Sequence, residues 1–387
     1  MDFLSESSLE FCVGRYIIPR MSILPYIHRN VYELVAYRPG KPIEETAREL
    51  GMRPEDIVKL ASNENAMGPS PRAVEAMKAA AEHVHLYPDG ASYELRSKLA
   101  ARFGVGFDQT VVGSGSSELI ELLCHTCLHP GIELVAARYS FTMYPLMCKL
   151  FNAKFTEVEN KPDWTHDLQG MLRAITPQTR LVFITNPTNP VGTMVGQDEL
   201  DAFMEQVPEH VMVVFDEAYI DFARVQPDTL RYVKQGKNAV VLRTFSKAYG
   251  LAGLRAGYAI TTPEIADLLN KARSPFNMNS MAQAAAMAAL DDTEHLAKSV
   301  QMVHAGLQQY YTAFDQWGVS YIPTHGNFLL VRVGQGMRVF QECLKRGVIL
   351  RPMDAYGLNE YIRITIGTEA ENTRCLCALA EALGVKS

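Results

Sequence analysis

The chain has 387 residues, of which 48% are hydrophobic and 21% charged. That is the balance of a folded protein with a large core, and it excludes a disordered, collagen-like or disulfide-scaffold chain. The net charge is only −6, from 37 basic and 43 acidic residues, with no basic run of the kind that tracks a nucleic acid. Seven scattered cysteines argue against a secreted disulfide framework and for a reducing compartment.

The chain begins with Asp2, Glu6 and Glu10 where a signal peptide needs positive charge, and no long apolar run follows. The expectation is a cytoplasmic protein. Residues 1–30 read as an N-terminal extension, 31–60 as an arm belonging to a small domain, 61–290 as a large domain and 291–387 as a small C-terminal domain. Ser70-Pro71 opens a helix, with Pro71 at its first position and Ala73, Val74, Met77, Ala80, Ala81 and Val84 at helical spacing. A strand at 110–112 precedes a helix over 116–128, stopped by Pro130-Gly131. Cys124 and Cys127 make a CxxC on that helix. A zinc site needs a second ligand pair, and His83 and His85 lie beyond a turn, so the cysteines read as small core residues and no metal is expected.

Strands follow at 132–136, 180–185, 211–215 and 239–242. Several are continuous apolar runs, which suits strands buried on both faces of a mainly parallel sheet, and the β/α alternation gives a layered α/β domain. The uncharged stretch 274–290 contains Asn277, Asn279 and Gln283 and is too short and polar to span a membrane. A long polar helix over 293–316 then leads to strands at 328–333 and 361–366 and helices at 337–345 and 369–383. That is the rhythm of a smaller α+β domain.

In such sheets functional groups gather where strands end, and four strand ends carry unusual chemistry. Gly113-Ser114-Gly115-Ser116-Ser117-Glu118 is a Gly/Ser turn opening a helix, where backbone N–H groups and hydroxyls cradle a phosphate. It is not the dinucleotide GxGxxG, because Glu118 stands at the third glycine. Asn186-Pro187-Thr188-Asn189-Pro190 follows a buried strand. Asp216-Glu217-Ala218-Tyr219 ends the most apolar strand, so Asp216 is either desolvated against a cation or caps a helix. Last, Ser246-Lys247 sits in small and apolar surroundings with Arg255 eight residues on. A lysine so placed has a depressed pKa and attacks carbonyls.

This ordered set resembles the fold-type-I pyridoxal-phosphate enzymes of the aspartate aminotransferase superfamily, and more closely the histidinol-phosphate aminotransferase family. The likeness covers about residues 30 to 385 and includes Tyr37-Arg38-Pro39-Gly40-Lys41-Pro42, Ala61-Ser62-Asn63-Glu64-Asn65, Leu86-Tyr87-Pro88 and Ile362-Arg363-Ile364. It implies a large three-layer cofactor domain over 61–290 and a smaller α+β domain built from both chain ends. It also implies pyridoxal 5'-phosphate, held as a Schiff base by Lys247, which then shuttles the proton at the substrate Cα. Asp216 pairs with the ring nitrogen, and Asn186 and Tyr219 bond the ring's 3' oxygen. Phe141 stacks on the ring, while Ser116, Ser117, Ser246 and Arg255 neutralise the phosphate. Many relatives carry Asp at the position of Ser117. Tyr87 reaches the phosphate in a neighbouring subunit, which implies a homodimer with shared active sites.

For substrate the resemblance points to Tyr37, Asn65, Arg351 and Arg363. A pocket that takes histidinol phosphate in one half-reaction and glutamate, from 2-oxoglutarate, in the other must accept both a phosphate and a carboxylate. Two arginines and a tyrosine suit both anions. The alternatives are an aromatic amino-acid aminotransferase, a threonine-phosphate decarboxylase and a non-catalytic ligand sensor. Sensors of this kind add a basic DNA-binding module, for which the chain has room only in residues 1–30.

Overall fold

A computed structural model describes residues 23–32, 34 and 40–385. Tyr37 and most of the N-terminal extension lie outside the described residues. The first long helix, Pro71–Ala81, starts as its residues dictate: the Ser70 hydroxyl accepts from the N–H groups of Arg72 and Ala73, with Pro71 at the first turn. It stops at Ala81, short of the expected Val84. The chain there turns outward, and Val84 is 60% exposed with no core to pack against.

Along the chain the strands are β1 (Val58–Lys59), β2 (Thr110–Gly113), β3 (Glu133–Ala137), β4 (Lys154–Val158), β5 (Thr179–Thr185), β6 (Met212–Asp216), β7 (Ala239–Thr244), β8 (Gly257–Thr261), β9 (Tyr321–Ile322), β10 (Phe328–Arg332), β11 (Val348–Ile349), β12 (Arg351–Pro352) and β13 (Tyr361–Thr365). Among the described residues seven of them form one sheet in the order β2-β8-β7-β6-β5-β3-β4. Its pairings are parallel except at β8, which runs antiparallel to both β2 and β7. Successive side chains point to opposite faces, so Val182, Ile184, Val213, Phe215 and Val241 enter one core, with helices Pro71–Ala81, Tyr93–Phe103 and Ser280–Asp291. Leu181, Phe183, Val214, Val240 and Leu242 enter the other, with helices Gly115–Cys127, Met143–Leu150 and Pro263–Ala272. The result is three layers.

β4, β8 and the helix Tyr93–Phe103 are elements that apolar runs do not reveal. β4 is an edge strand whose Lys154 is exposed, β8 opens on a glycine, and the helix is rich in charge. Cys124 is fully buried among apolar residues, and burial raises its thiol pKa far above the usual range; Cys127 is pushed up to about 11. Among the described residues no three His, Cys, Asp or Glu side chains gather to hold a metal ion. No described helix is long and apolar enough to cross a membrane.

The second unit is a four-stranded antiparallel sheet, β12-β13-β10-β9. Helices Thr293–Trp317, Gly336–Lys345 and Glu369–Leu383 cover it through Val303, Tyr310, Phe314, Val339, Cys375 and Leu379. Val58 and Leu60 join the same core, and β1 pairs in parallel with β11. Both ends of the chain therefore build the smaller domain.

Candidate active site

Register brings the four motifs together. β5, β6 and β7 run in parallel with Thr185 opposite Asp216 and Asp216 opposite Leu242, so β5 and β6 end at one level and β7 two residues beyond it, at Thr244. The Asn186 N–H donates to the Asp216 carbonyl at 2.9 Å, tying the Asn-Pro turn to the end of β6. Gly257 of β8 lies opposite both Gly113 and Thr244, which draws the Gly/Ser turn beside the Ser246–Arg255 segment.

Close approach is visible in the glycines. Gly115 has φ +79, and a Cβ there would strike the Arg255 guanidinium. A Cβ on Gly257 would come within 2.5 Å of the Ser116 nitrogen. Only glycine fits at either place. Ser116 and Ser117 lie in the first turn of helix Gly115–Cys127, whose unsatisfied N–H groups favour an anion. Ser246 accepts from Thr244 Oγ1 at 3.0 Å, and Arg255 is exposed in a left-handed conformation.

Asp216 is 3% exposed. Tyr144 donates to its Oδ2 at 2.7 Å, and the Ala218 N–H reaches Oδ1 at a longer 3.3 Å. Burial raises the Asp216 pKa, while these two donors and the charge of Lys247 pull it back. Lys247 Nζ donates to the Ser62 carbonyl at 3.3 Å and lies 5.5 Å from the centre of the Tyr219 ring. Tyr219 is buried, and its hydroxyl accepts from Asn63 Nδ2 at 3.0 Å. Burial raises its pKa against the pull of Arg363 and of that hydrogen bond. The side chain of Asn186 is bound at both ends to Val195, donating to its carbonyl and accepting its N–H. Phe141 stands edge-on to Tyr144, ring centres 6.0 Å apart.

A buried carboxylate with one short donor, a lysine whose charge acts on it and a Gly/Ser helix start drawn beside Arg255 fit pyridoxal 5'-phosphate. Similarity to known proteins is decisive. A profile for aminotransferase class I and II matches residues 55–379. The chain belongs to that family. It is 61% identical to the histidinol-phosphate aminotransferase of Akkermansia muciniphila over 363 residues, 94% of this chain and 100% of that one. With the Moorella thermoacetica protein of the same name it shares 44% identity, over 94% of each chain. Histidinol-phosphate aminotransferase from Sinorhizobium meliloti, solved in complex with pyridoxal-5'-phosphate, superposes with a TM-score of 0.84 at 27% identity, covering 92% and 97% of the two chains. The fold is that of the fold-type-I pyridoxal-phosphate transferases, and pyridoxal 5'-phosphate is the cofactor of this aminotransferase.

The smaller sheet brings in the arginines. Arg351 on β12 lies directly opposite Arg363 on β13, so both side chains leave the same face. Arg363 is 8% exposed and donates to Asn189 Oδ1 at 2.5 Å and to the Ala61 carbonyl at 3.0 Å. Asn65, expected at the substrate, spends its amide inside the chain. It donates to the Ala248 carbonyl and to Ser299 Oγ, and accepts the Met67 N–H. Asn63, two residues earlier and with φ +54, is the asparagine that meets Tyr219. Tyr87 is 82% exposed and stacks on Phe276 at 4.7 Å. Sequence reasoning missed Tyr144 and Asn63. Asn63 stood inside the Ala61-Ser62-Asn63-Glu64-Asn65 motif, whereas Tyr144 had only its place three residues after Phe141, at the start of helix Met143–Leu150, as a signal.

Proposed function

We propose that this aminotransferase moves the amino group of histidinol phosphate to 2-oxoglutarate. The observation that carries the substrate is the pairing of Arg351 with Arg363 across β12 and β13: two guanidiniums on one face suit a phosphate dianion, and either one suits a carboxylate. The names of the relatives support the same reading. An aromatic amino acid needs no second arginine, and no feature of the chain favours a decarboxylase or a sensor.

When bound, pyridoxal 5'-phosphate supplies a carbonyl carbon for amino-group exchange and a ring that accepts electrons. The chain supplies everything else. Lys247 Nζ holds the cofactor and, once displaced, takes and returns the proton at the substrate Cα. Asp216 keeps positive charge at the ring nitrogen. Asn186 and Tyr219 orient the 3' oxygen, with Asn63 fixing the Tyr219 hydroxyl, and Phe141 covers the ring. Ser116, Ser117, Ser246 and Arg255 hold the cofactor phosphate. Arg363 binds the substrate anion in both half-reactions, and Arg351 with Tyr37 adds donors for the phosphate. Asn65 acts from behind, joining the Lys247 segment to helix Thr293–Trp317 through Ala248 and Ser299. The protein is a cytoplasmic homodimer whose surface includes Tyr87, Phe276, Leu86 and Tyr93, all exposed apolar side chains, so that Tyr87 completes the partner's phosphate site.

The test compares histidinol phosphate with phenylalanine as amino donors to 2-oxoglutarate. Histidinol phosphate should be much the better donor. Arg351→Ala should lower its kcat/KM by about 2–3 kcal/mol and change that of phenylalanine by less than about fivefold. Equal losses would make Arg351 structural and remove the reason for preferring the phosphate. The dimer has its own check. Mixed dimers of Tyr87→Phe and Lys247→Ala chains should regain about half of wild-type activity, since both defects fall in one site; activity no higher than that of Tyr87→Phe would place Tyr87 in its own subunit's site.

A further inference from the structure

The hydroxyl of Tyr144 has one proton and two oxygen neighbours. Asp216 Oδ2 lies 2.7 Å away and Thr185 Oγ1 2.8 Å away. An ionised carboxylate only accepts, so the Tyr144 proton goes to Asp216 and Thr185 must donate to Tyr144. The two bonds form a directed chain, Thr185 to Tyr144 to Asp216. Protonating Asp216 on Oδ2 would force both bonds in that chain to reverse. Packing fixes the ring in place, since Tyr144 has zero exposure, stacks on Phe183 at 4.2 Å and meets Phe141 edge-on. Burial lifts its own pKa far above the usual range, so it remains a donor at any working pH.

We propose that Tyr144, backed by Thr185, is a positioning residue for Asp216, holding its Oδ2 so that the carboxylate stays ionised and Oδ1 is the oxygen offered to the cofactor's ring nitrogen. The inference rests on the role given to Asp216 above. The asymmetry of the two oxygens supports it, because Oδ1 has only the 3.3 Å bond from Ala218 N–H while Oδ2 has the short one. Without the Tyr144 donor Asp216 would be a stronger base and would hold positive charge at the cofactor's ring nitrogen less well. The other titratable groups facing this pair are Lys247 from the segment after β7, Tyr219 from the segment after β6 and Cys124 from helix Gly115–Cys127. Of these, positive charge on Lys247 also favours the ionised carboxylate.

The experiment uses Tyr144→Phe holoenzyme, which keeps the ring and its packing and removes one oxygen. The kcat should fall about 10- to 100-fold, as for a lost hydrogen bond to a charged group, with KM changed less than about threefold. Two readouts are independent of turnover. The cofactor dissociation constant should rise about tenfold, and the pH midpoint of the bound cofactor's absorption change should move up by about half a unit or more. Thr185→Val should shift the midpoint in the same direction by less, and decides the matter if Tyr144→Phe does not fold. A lowered Tm with midpoint and kcat unchanged would make Tyr144 a packing residue and overturn the proposal. Asp216→Asn measured in parallel separates the two claims. If Asp216→Asn is also silent, the Asp216 role itself is wrong; if it is severe while Tyr144→Phe is silent, only the inference about Tyr144 fails.

Discussion

Two carboxylates with almost no exposed surface lie at opposite ends of one sheet, Glu133 near the protein surface and Asp216 deep in the interior. Glu133 opens β3 and is 2% exposed; Asp216 closes β6 and is 3% exposed. Lys154 and Thr156 donate to one oxygen of Glu133, and Thr176 and Thr179 to the other. Burial pushes the Glu133 carboxyl up, but those donors outweigh it and hold its pKa at about 2. Asp216 has one short donor and one long one, so burial wins and its pKa is raised. Exposed surface alone therefore does not separate the two carboxylates. Depth and donor count do: Glu133, near the surface, has four side-chain donors, and Asp216, in the interior, has one short donor, one long one and the charge of Lys247.

The sharpest break of that comparison is Asp216→Asn. It should cost roughly 10³-fold or more in kcat, about 4 kcal/mol of transition-state stabilisation, because a neutral amide cannot hold charge at the ring nitrogen. Thermal unfolding of the cofactor-free variant should show a Tm no lower than wild type, since the buried charge is gone. A kinetic loss under tenfold would mean that another group holds that charge.

His166 extends the contrast at the same end of the sheet. It is 1% exposed, its Nε2 lies 3.0 Å from Thr188 Oγ1, and its Nδ1 has no hydrogen-bond partner among the described residues. Burial holds its pKa near 4, below the usual 6.5. A depressed folded-state pKa means stability present above about 6.5 and lost as pH falls through about 4, a total of about 3 kcal/mol. Urea unfolding of His166→Gln between those pH values should show that part of the slope removed; an unchanged slope would assign it to other groups.

Glu133→Gln gives the smallest effect and the opposite pattern to Asp216→Asn. Stability should drop by about 2 kcal/mol at neutral pH while kcat/KM stays within about twofold. Because the folded pKa of Glu133 lies below the ordinary 4.5, the gap between wild type and variant should close as pH falls from about 4.5 towards 2. A kinetic defect equal to that of Asp216→Asn would erase the distinction between the two ends.

Much of this was legible in consecutive residues. Apolar runs marked β5, β6 and β7 as strands buried on both faces, and Ser70-Pro71 marked a helix start, because propensity and capping act within a few residues. The motif residues Asn186, Asp216, Lys247 and Arg255 could be named because chemistry at strand ends travels with its neighbours in the chain. β4 and β8 could not be read this way: an edge strand has one face in water, and a glycine-led strand lacks the apolar signal. Partnerships across long sequence separations were equally hidden. Of two asparagines in one motif, register and the turn at Asn63 decided that Asn63 meets Tyr219 while Asn65 anchors Ser299, 234 residues away. Tyr144 reaches Asp216 across 72 residues, and Arg351 meets Arg363 only through the pairing of β12 with β13. Hydrogen-bond saturation of a buried group depends on which strands and helices pack around it, and that is settled by the assembled layers, not by the residues beside it in the chain.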